Sequence, residues 1–240
     1  MKKLSKLEKI LLVINIIFIS TLFVLNYFYQ YNNFNYTLKC ICSSIFAVLG
    51  LINLGYALFI KSENKKFFIT MAIGLVLAML GDVVINKSFI PGAGLFALGH
   101  VFFVIAYCFL HKINWLEIVI SGVIFVAAGC FLLFSPILDF GEDLLKIVCV
   151  IYALIISCMV GKATGNFIRY KGTINLLIMI GSFLFFFSDL MLVLDWFILE
   201  QYEMSWTNEA CMATYYPALC IFAFSLYLKA SNFLETKRVL

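Results

Sequence analysis

Along the chain, apolar residues collect into eight runs separated by short polar breaks, and each run is long enough to cross a bilayer as a helix of about 20 residues. The runs cover about 10–29, 37–60, 67–86, 93–110, 115–134, 143–161, 172–199 and 210–230. The breaks hold Asn32-Asn33, Ser62-Glu63-Asn64, Pro91-Gly92, Ser135-Pro136 and Gly172, residue types that end helices and turn chains. Strand-like alternation is absent, which argues against a transmembrane β-barrel. The pattern predicts an all-α, polytopic membrane bundle of eight transmembrane helices.

Composition narrows this to one domain. With 64% apolar and 12% charged residues, the chain has too little polar surface to cover a soluble globule, and eight spans use up nearly all of 1–240. A single integral membrane domain is expected. The formal charge of +4 would suggest nucleic acid in a soluble protein; here no nucleic-acid motif accompanies it. Met1 to Lys9 is basic and runs into the first apolar stretch, as in a secretory signal. That stretch is too long for a signal core and no A-x-A site follows, so a retained first helix is expected. The eight cysteines lie mostly in apolar runs and read as small core residues, with a Cys40–Cys211 bridge left open.

Charge placement gives orientation. Of seventeen basic residues only Lys39, Lys87 and Lys146 fall on the side away from the N-terminus. The others, among them Lys2, Lys3, Lys61, Lys162, Arg169, Lys237 and Arg238, share the N-terminal side. Both termini are therefore expected in the cytoplasm. Asp139, Glu142, Asp143, Glu200, Glu203 and Glu209 collect on the outward side, and Trp115, Trp196 and Trp206 fall near the interfaces. Gly81-Asp82 before a polar-tipped helix echoes Ser188-Asp189 before the helix carrying Tyr215 and Tyr216, which suggests a 4+4 parallel repeat.

Ionisable residues inside the runs are the candidate chemistry, because charge at membrane depth is costly to place. The third helix puts Asp82 about one turn from its outward end, and the fourth brings His100 about two turns down, so that the two can face each other. Asp189 on the seventh helix and Lys39 at the start of the second complete one outward polar cavity. Gly74, Ala78, Asp82 and Asn86 form one helical stripe; Asn175, Ser182, Asp189 and Trp196 form another. The competing structural account satisfies each aspartate by backbone or hydroxyl partners, packs His100 in the core, and lets Lys39 snorkel to the interface. Asp195 is expected to face headgroups or a neighbour, and Glu117 to be uninvolved. No His/Cys/carboxylate cluster has metal-ligand spacing, so neither metal nor cofactor is expected. Nucleophile motifs such as G-x-S-x-G and H-E-x-x-H are missing. Two buried carboxyls need neither: close together they cannot both ionise cheaply, which leaves one general acid and one carboxylate.

At these residues the sequence resembles the YhhN-like lysoplasmalogenases. The matching stretches are Lys39-Cys40, Leu80-Gly81-Asp82, Gly94 to His100, Gly181 through Ser188-Asp189, and Tyr215-Tyr216 with Ala218. Cys42, Phe103 and Leu219 depart from residues often found in that family, namely proline, tyrosine and glutamine. The resemblance implies hydrolysis of the vinyl ether of lysoplasmalogens to a fatty aldehyde and glycerophosphoethanolamine or glycerophosphocholine. It places Asp82 and Asp189 in catalysis, with Lys39, His100, Tyr216, Tyr215, Asn86 and Ser182 binding or orienting. The expected partners are a lysophospholipid substrate, the lipid bilayer and water as co-substrate, in a bacterial cell membrane suggested by frequent Lys, Asn, Ile and Phe. The alternatives are a small proton-coupled transporter or lipid carrier using the same aspartates, and a non-catalytic structural protein.

Overall fold

Backbone N–H and C=O groups in lipid have only one another as partners, so each apolar run closes into a helix. The computed structural model describes residues 5–31, 35–202, 204 and 206–239, with the backbone alone for 233–239. Lys2, Lys3, Asn32, Asn33 and Glu203, and the side chains of Lys237 and Arg238, lie outside the described residues. The helices are α1 (Lys6–Tyr31), α2 (Tyr36–Phe59), α3 (Lys65–Ile85), α4 (Phe89–Leu110), α5 (Trp115–Phe134), α6 (Asp143–Tyr170), α7 (Thr173–Phe197) and α8 (Thr207–Val239). A short 3-10 turn, Glu200–Tyr202, precedes α8. All eight are long and apolar enough to cross a membrane, and the described residues contain no β-strand.

Three boundaries differ from the sequence reading. Pro91-Gly92, expected in a loop, lies in the first turn of α4; proline is tolerated there because the N–H it lacks would have no helical acceptor. Gly92 is required at that point, since a Cβ would stand 2.5 Å from Ile85 Cα of the preceding helix. Helix α6 runs on to Tyr170, past the end of its apolar stretch, because Lys162 and Asn166 find buried polar partners instead of solvent. Helix α8 likewise continues beyond 230.

Eight passes return the chain to the face on which it began: the Tyr227 hydroxyl near the end of α8 donates to the Glu8 carbonyl of α1 at 3.0 Å. We call this the terminal face and the opposite one the far face. Helix α8 is central, packing on α1, α2, α3 and α7, with 67% of its apolar stretch buried. The backbone of α5 runs beside that of α6 alone, with 17% of its apolar stretch buried, and α5 turns Ile118, Val123 and Val126 outward. On the far face the loops after α5 and α7 pair through their backbones: Asp139 N–H donates to the Phe197 carbonyl at 2.8 Å and Leu199 N–H to that of Ile137 at 2.9 Å.

On the terminal face α5 is clamped. Glu117 is 2% exposed and takes Lys162 Nζ at 2.8 Å and Arg169 Nη1 at 3.2 Å. It also closes a capping box with Asn114. Glu117 is thus a structural anchor remote from the far-face carboxyls. Cys40 and Cys211 are both free.

Candidate active site

The first cluster is built from the start of α2. Asn35 caps that helix, its side-chain oxygen accepting from the N–H groups of Thr37 and Leu38 at 2.9 and 3.3 Å. Lys39 then falls in the first turn and points inward, 3% exposed. Its Nζ lies 3.1 Å from Asp82 Oδ1 and donates to Asn86 Oδ1 at 2.7 Å; Asn86 stands one turn beyond Asp82. Ser43, one turn after Lys39, donates to Asp82 Oδ2, and the Tyr216 hydroxyl of α8 reaches the same oxygen at 3.3 Å. A carboxylate and an ammonium buried this deeply are tolerable only as a pair with further hydrogen bonds, which Ser43, Tyr216 and Asn86 supply.

The second cluster centres on Asp189 of α7. Tyr152 of α6 donates to its Oδ2 at 2.7 Å. His100 Nε2 lies 3.2 Å from that oxygen and 2.8 Å from Tyr152 Oη. Tyr152 has one proton to give, so the tautomer carrying the hydrogen on Nε2 satisfies the triangle. The His100 ring is fully buried and meets Phe185 edge-on, centroids 4.6 Å apart. Its Nδ1 has no hydrogen-bond partner among the described residues.

Both carboxyls border one cavity of about 10 Å³, room for about a single water. Lys39, Ser188, Cys211 and Tyr215 also line it. Asp189 and Tyr152 in turn border a second cavity of about 30 Å³ toward Ala93 and Phe96, and an open apolar groove of about 250 Å³ between α5, α6 and α7.

The pairing of partners is not the one expected. His100 faces Asp189 rather than Asp82, because α4 packs on α6 as well as α3 and turns His100 toward that side. Tyr215 donates to the Ala78 carbonyl at 3.1 Å and meets the site only as cavity wall. Ser182 pairs with the Tyr107 hydroxyl at 3.2 Å, about 10 Å along α7 from Asp189. Asp195 accepts from Thr207 at 2.8 Å, which ties α7 to the start of α8. Two residues escaped the sequence reading. Ser43 was findable, standing four residues after Lys39 on the same helical face. Tyr152 sits in an otherwise apolar run with no spacing that marks it. Among the described residues no group of three or more His, Cys, Asp or Glu is placed to hold a metal ion.

A family model described as the YhhN family matches residues 35–226, a stretch that contains both clusters. No curated protein and no solved structure matches the chain.

Proposed function

The chain belongs to the YhhN family, and from that premise we propose that it hydrolyses the vinyl ether bond of lysoplasmalogens by aspartate acid–base catalysis. The observation that carries this reading is the asymmetry of two buried carboxyls on one cavity: Asp82 faces an ammonium at 3.1 Å, whereas no lysine or arginine among the described residues pairs with Asp189. Asp82 is then the carboxylate and Asp189 the acid. The oxygen of Asp189 that neither Tyr152 nor His100 touches, Oδ1, carries the proton.

The reaction balances with these two groups and one water. Asp189 gives its proton to the vinyl carbon that is not bonded to oxygen, and the positive charge moves to the adjacent carbon and ether oxygen as an oxocarbenium ion. Water attacks that carbon and passes a proton to Asp82. The hemiacetal then collapses: Asp82 returns the proton to the departing glycerol oxygen, Asp189 takes the proton of the hemiacetal hydroxyl, and the C–O bond breaks to give aldehyde and alcohol. Paired carboxyls serve an oxocarbenium-like state in glycosidases by the same logic. Tyr152 and His100 hold Asp189 in register, and Lys39 keeps a third N–H for the phosphate. A headgroup does not fit in about 10 Å³, so binding requires the far-face ends of the helices to part. The basic-residue bias makes that face the outward one.

A carrier would use the same carboxyls between helices broken at mid-depth; α3 and α7, which hold them, are continuous. The deciding experiment is aldehyde release from lysoplasmenyl-ethanolamine by purified protein. Asp82→Asn and Asp189→Asn should each lower the rate by about 10²–10⁴, and full activity in both variants would overturn the assignment.

A further inference from the structure

The 250 Å³ groove is far roomier than the other two cavities described beside Asp189, and its frame is unusual. The backbone of α5 runs close to that of α6 alone among the described helices, which leaves room for a groove between α5 and α7. Its two ends are held differently. Toward the terminal face α5 is pinned to α6: Glu117 is locked to Lys162 and Arg169, and Gly161 of α6 lets α5 approach so closely that a Cβ there would lie 2.7 Å from the Ser121 nitrogen. Toward the far face, the backbone pairing of 137–139 with 197–199 straps the loops together. What remains is a window at mid-height, open sideways, with Ala127, Ala128 and Phe131 on one jamb and Phe186 and Leu190 on the other. Its sill is α6, and Tyr152 and Asp189, hydrogen-bonded to each other, belong to its lining.

An apolar window with an acid in its lining is an odd surface to show to bulk lipid, which has no use for the acid. We propose that this window seats the single hydrocarbon chain of the substrate, admitted sideways from the bilayer, with the reactive end of the chain against Asp189. The proposal rests on the hydrolase reading and adds to it the position of the chain and its side of entry. The cavity shared by the two carboxyls offers about 10 Å³ against about 250 Å³ in the window, so hydrocarbon lies on the Asp189 side and the headgroup on the Lys39 side. Ala127, Ala128 and Ala153 set its width, since their small side chains line it from α5 and α6.

The test uses a probe that cannot be cleaved: hexadecyl-lysophosphoethanolamine with a saturated ether, its binding to the purified full chain counted by native mass spectrometry in detergent. Ala127→Trp places a ring on the window from an already exposed position, Ala153→Trp places one on the sill, and Val126→Trp, on the outward face of α5, is the control. We expect both window variants to weaken hexadecyl binding about tenfold or more and Val126→Trp to leave it unchanged, with elution and melting of Ala127→Trp like those of the parent. If Ala153→Trp fails to fold, Ala127→Trp decides alone. Parental binding in Ala127→Trp, or an equal loss in Val126→Trp, would mean ordinary boundary lipid and overturn the proposal. Because the probe has no vinyl bond, window-dependent binding without aldehyde release from the natural substrate would sink hydrolysis and keep the window. Aldehyde release with window-independent binding would do the reverse.

Discussion

Replacing Lys39 with methionine keeps most of the side-chain volume and removes only the ammonium. Asp82 is then left 2% exposed with Ser43 and Tyr216 as its remaining donors. Breaking a buried ion pair by deleting one partner costs about 3–5 kcal/mol, whereas removing both charges is close to neutral. The two surviving hydrogen bonds, each about 1 kcal/mol, place the cost here near the lower figure, about 3 kcal/mol. For a chain of this size about 1 kcal/mol moves Tm by roughly 2–4 °C, so Lys39→Met should melt about 6–12 °C below the parent. The double variant Lys39→Met/Asp82→Asn should recover most of that, leaving about 1 kcal/mol for the unpaired Asn86 oxygen. The coupling between the two positions is therefore large and opposite in sign to simple addition. The protein carries its own reporter: Cys42, Cys149, Cys211 and Cys220 are free and buried, so a thiol-reactive dye in a detergent thermal ramp brightens as the bundle opens. Lys39→Met melting within about 2 °C of the parent, or a double variant less stable than either single one, would refute the account of the pair as mutually compensating.

Tyr152→Phe deletes the hydroxyl that links His100 to Asp189 and leaves the ring; the aldehyde assay should fall about tenfold or more, with a stability loss of only about 1 kcal/mol. Lys162→Met should destabilise by about 3 kcal/mol or more in the same dye ramp while leaving kcat of the surviving protein unchanged, since the clamp lies at the opposite end from the carboxyls. His111, just past the end of α4, has its pKa held below the ordinary 6.5 by burial first and then by Lys162, Lys229 and Arg169. A histidine that is harder to protonate when folded contributes stability that is full above the unfolded pKa and is lost as pH falls through 6.5 toward the lower folded value. Tm measured from pH 7.5 down to 5 should therefore drop, and His111→Asn should flatten the drop.

Much of this protein is legible in one dimension, and the reason is local. Whether a stretch becomes a membrane helix depends on its own length and hydropathy, so eight helices of membrane-crossing length follow from the runs themselves, and the short motifs around Lys39, Asp82, His100 and Asp189 are enough to point to the family. Charge at membrane depth is equally local, which is why both aspartates stand out without a structure. Partnership is not local. Helices that are apolar nearly all round carry little in their pattern to say which face turns inward or which neighbour it meets. Only the tertiary packing pairs Lys39 with Asp82, hands His100 to Asp189 through Tyr152, and sends Ser182 to Tyr107. Packing also decides that Pro91 can start α4, that α6 continues through Lys162 and Asn166, and that α5 stands apart on α6. The groove beside Asp189 depends on how far α5 stands from α7, and no residue along the chain spells it out.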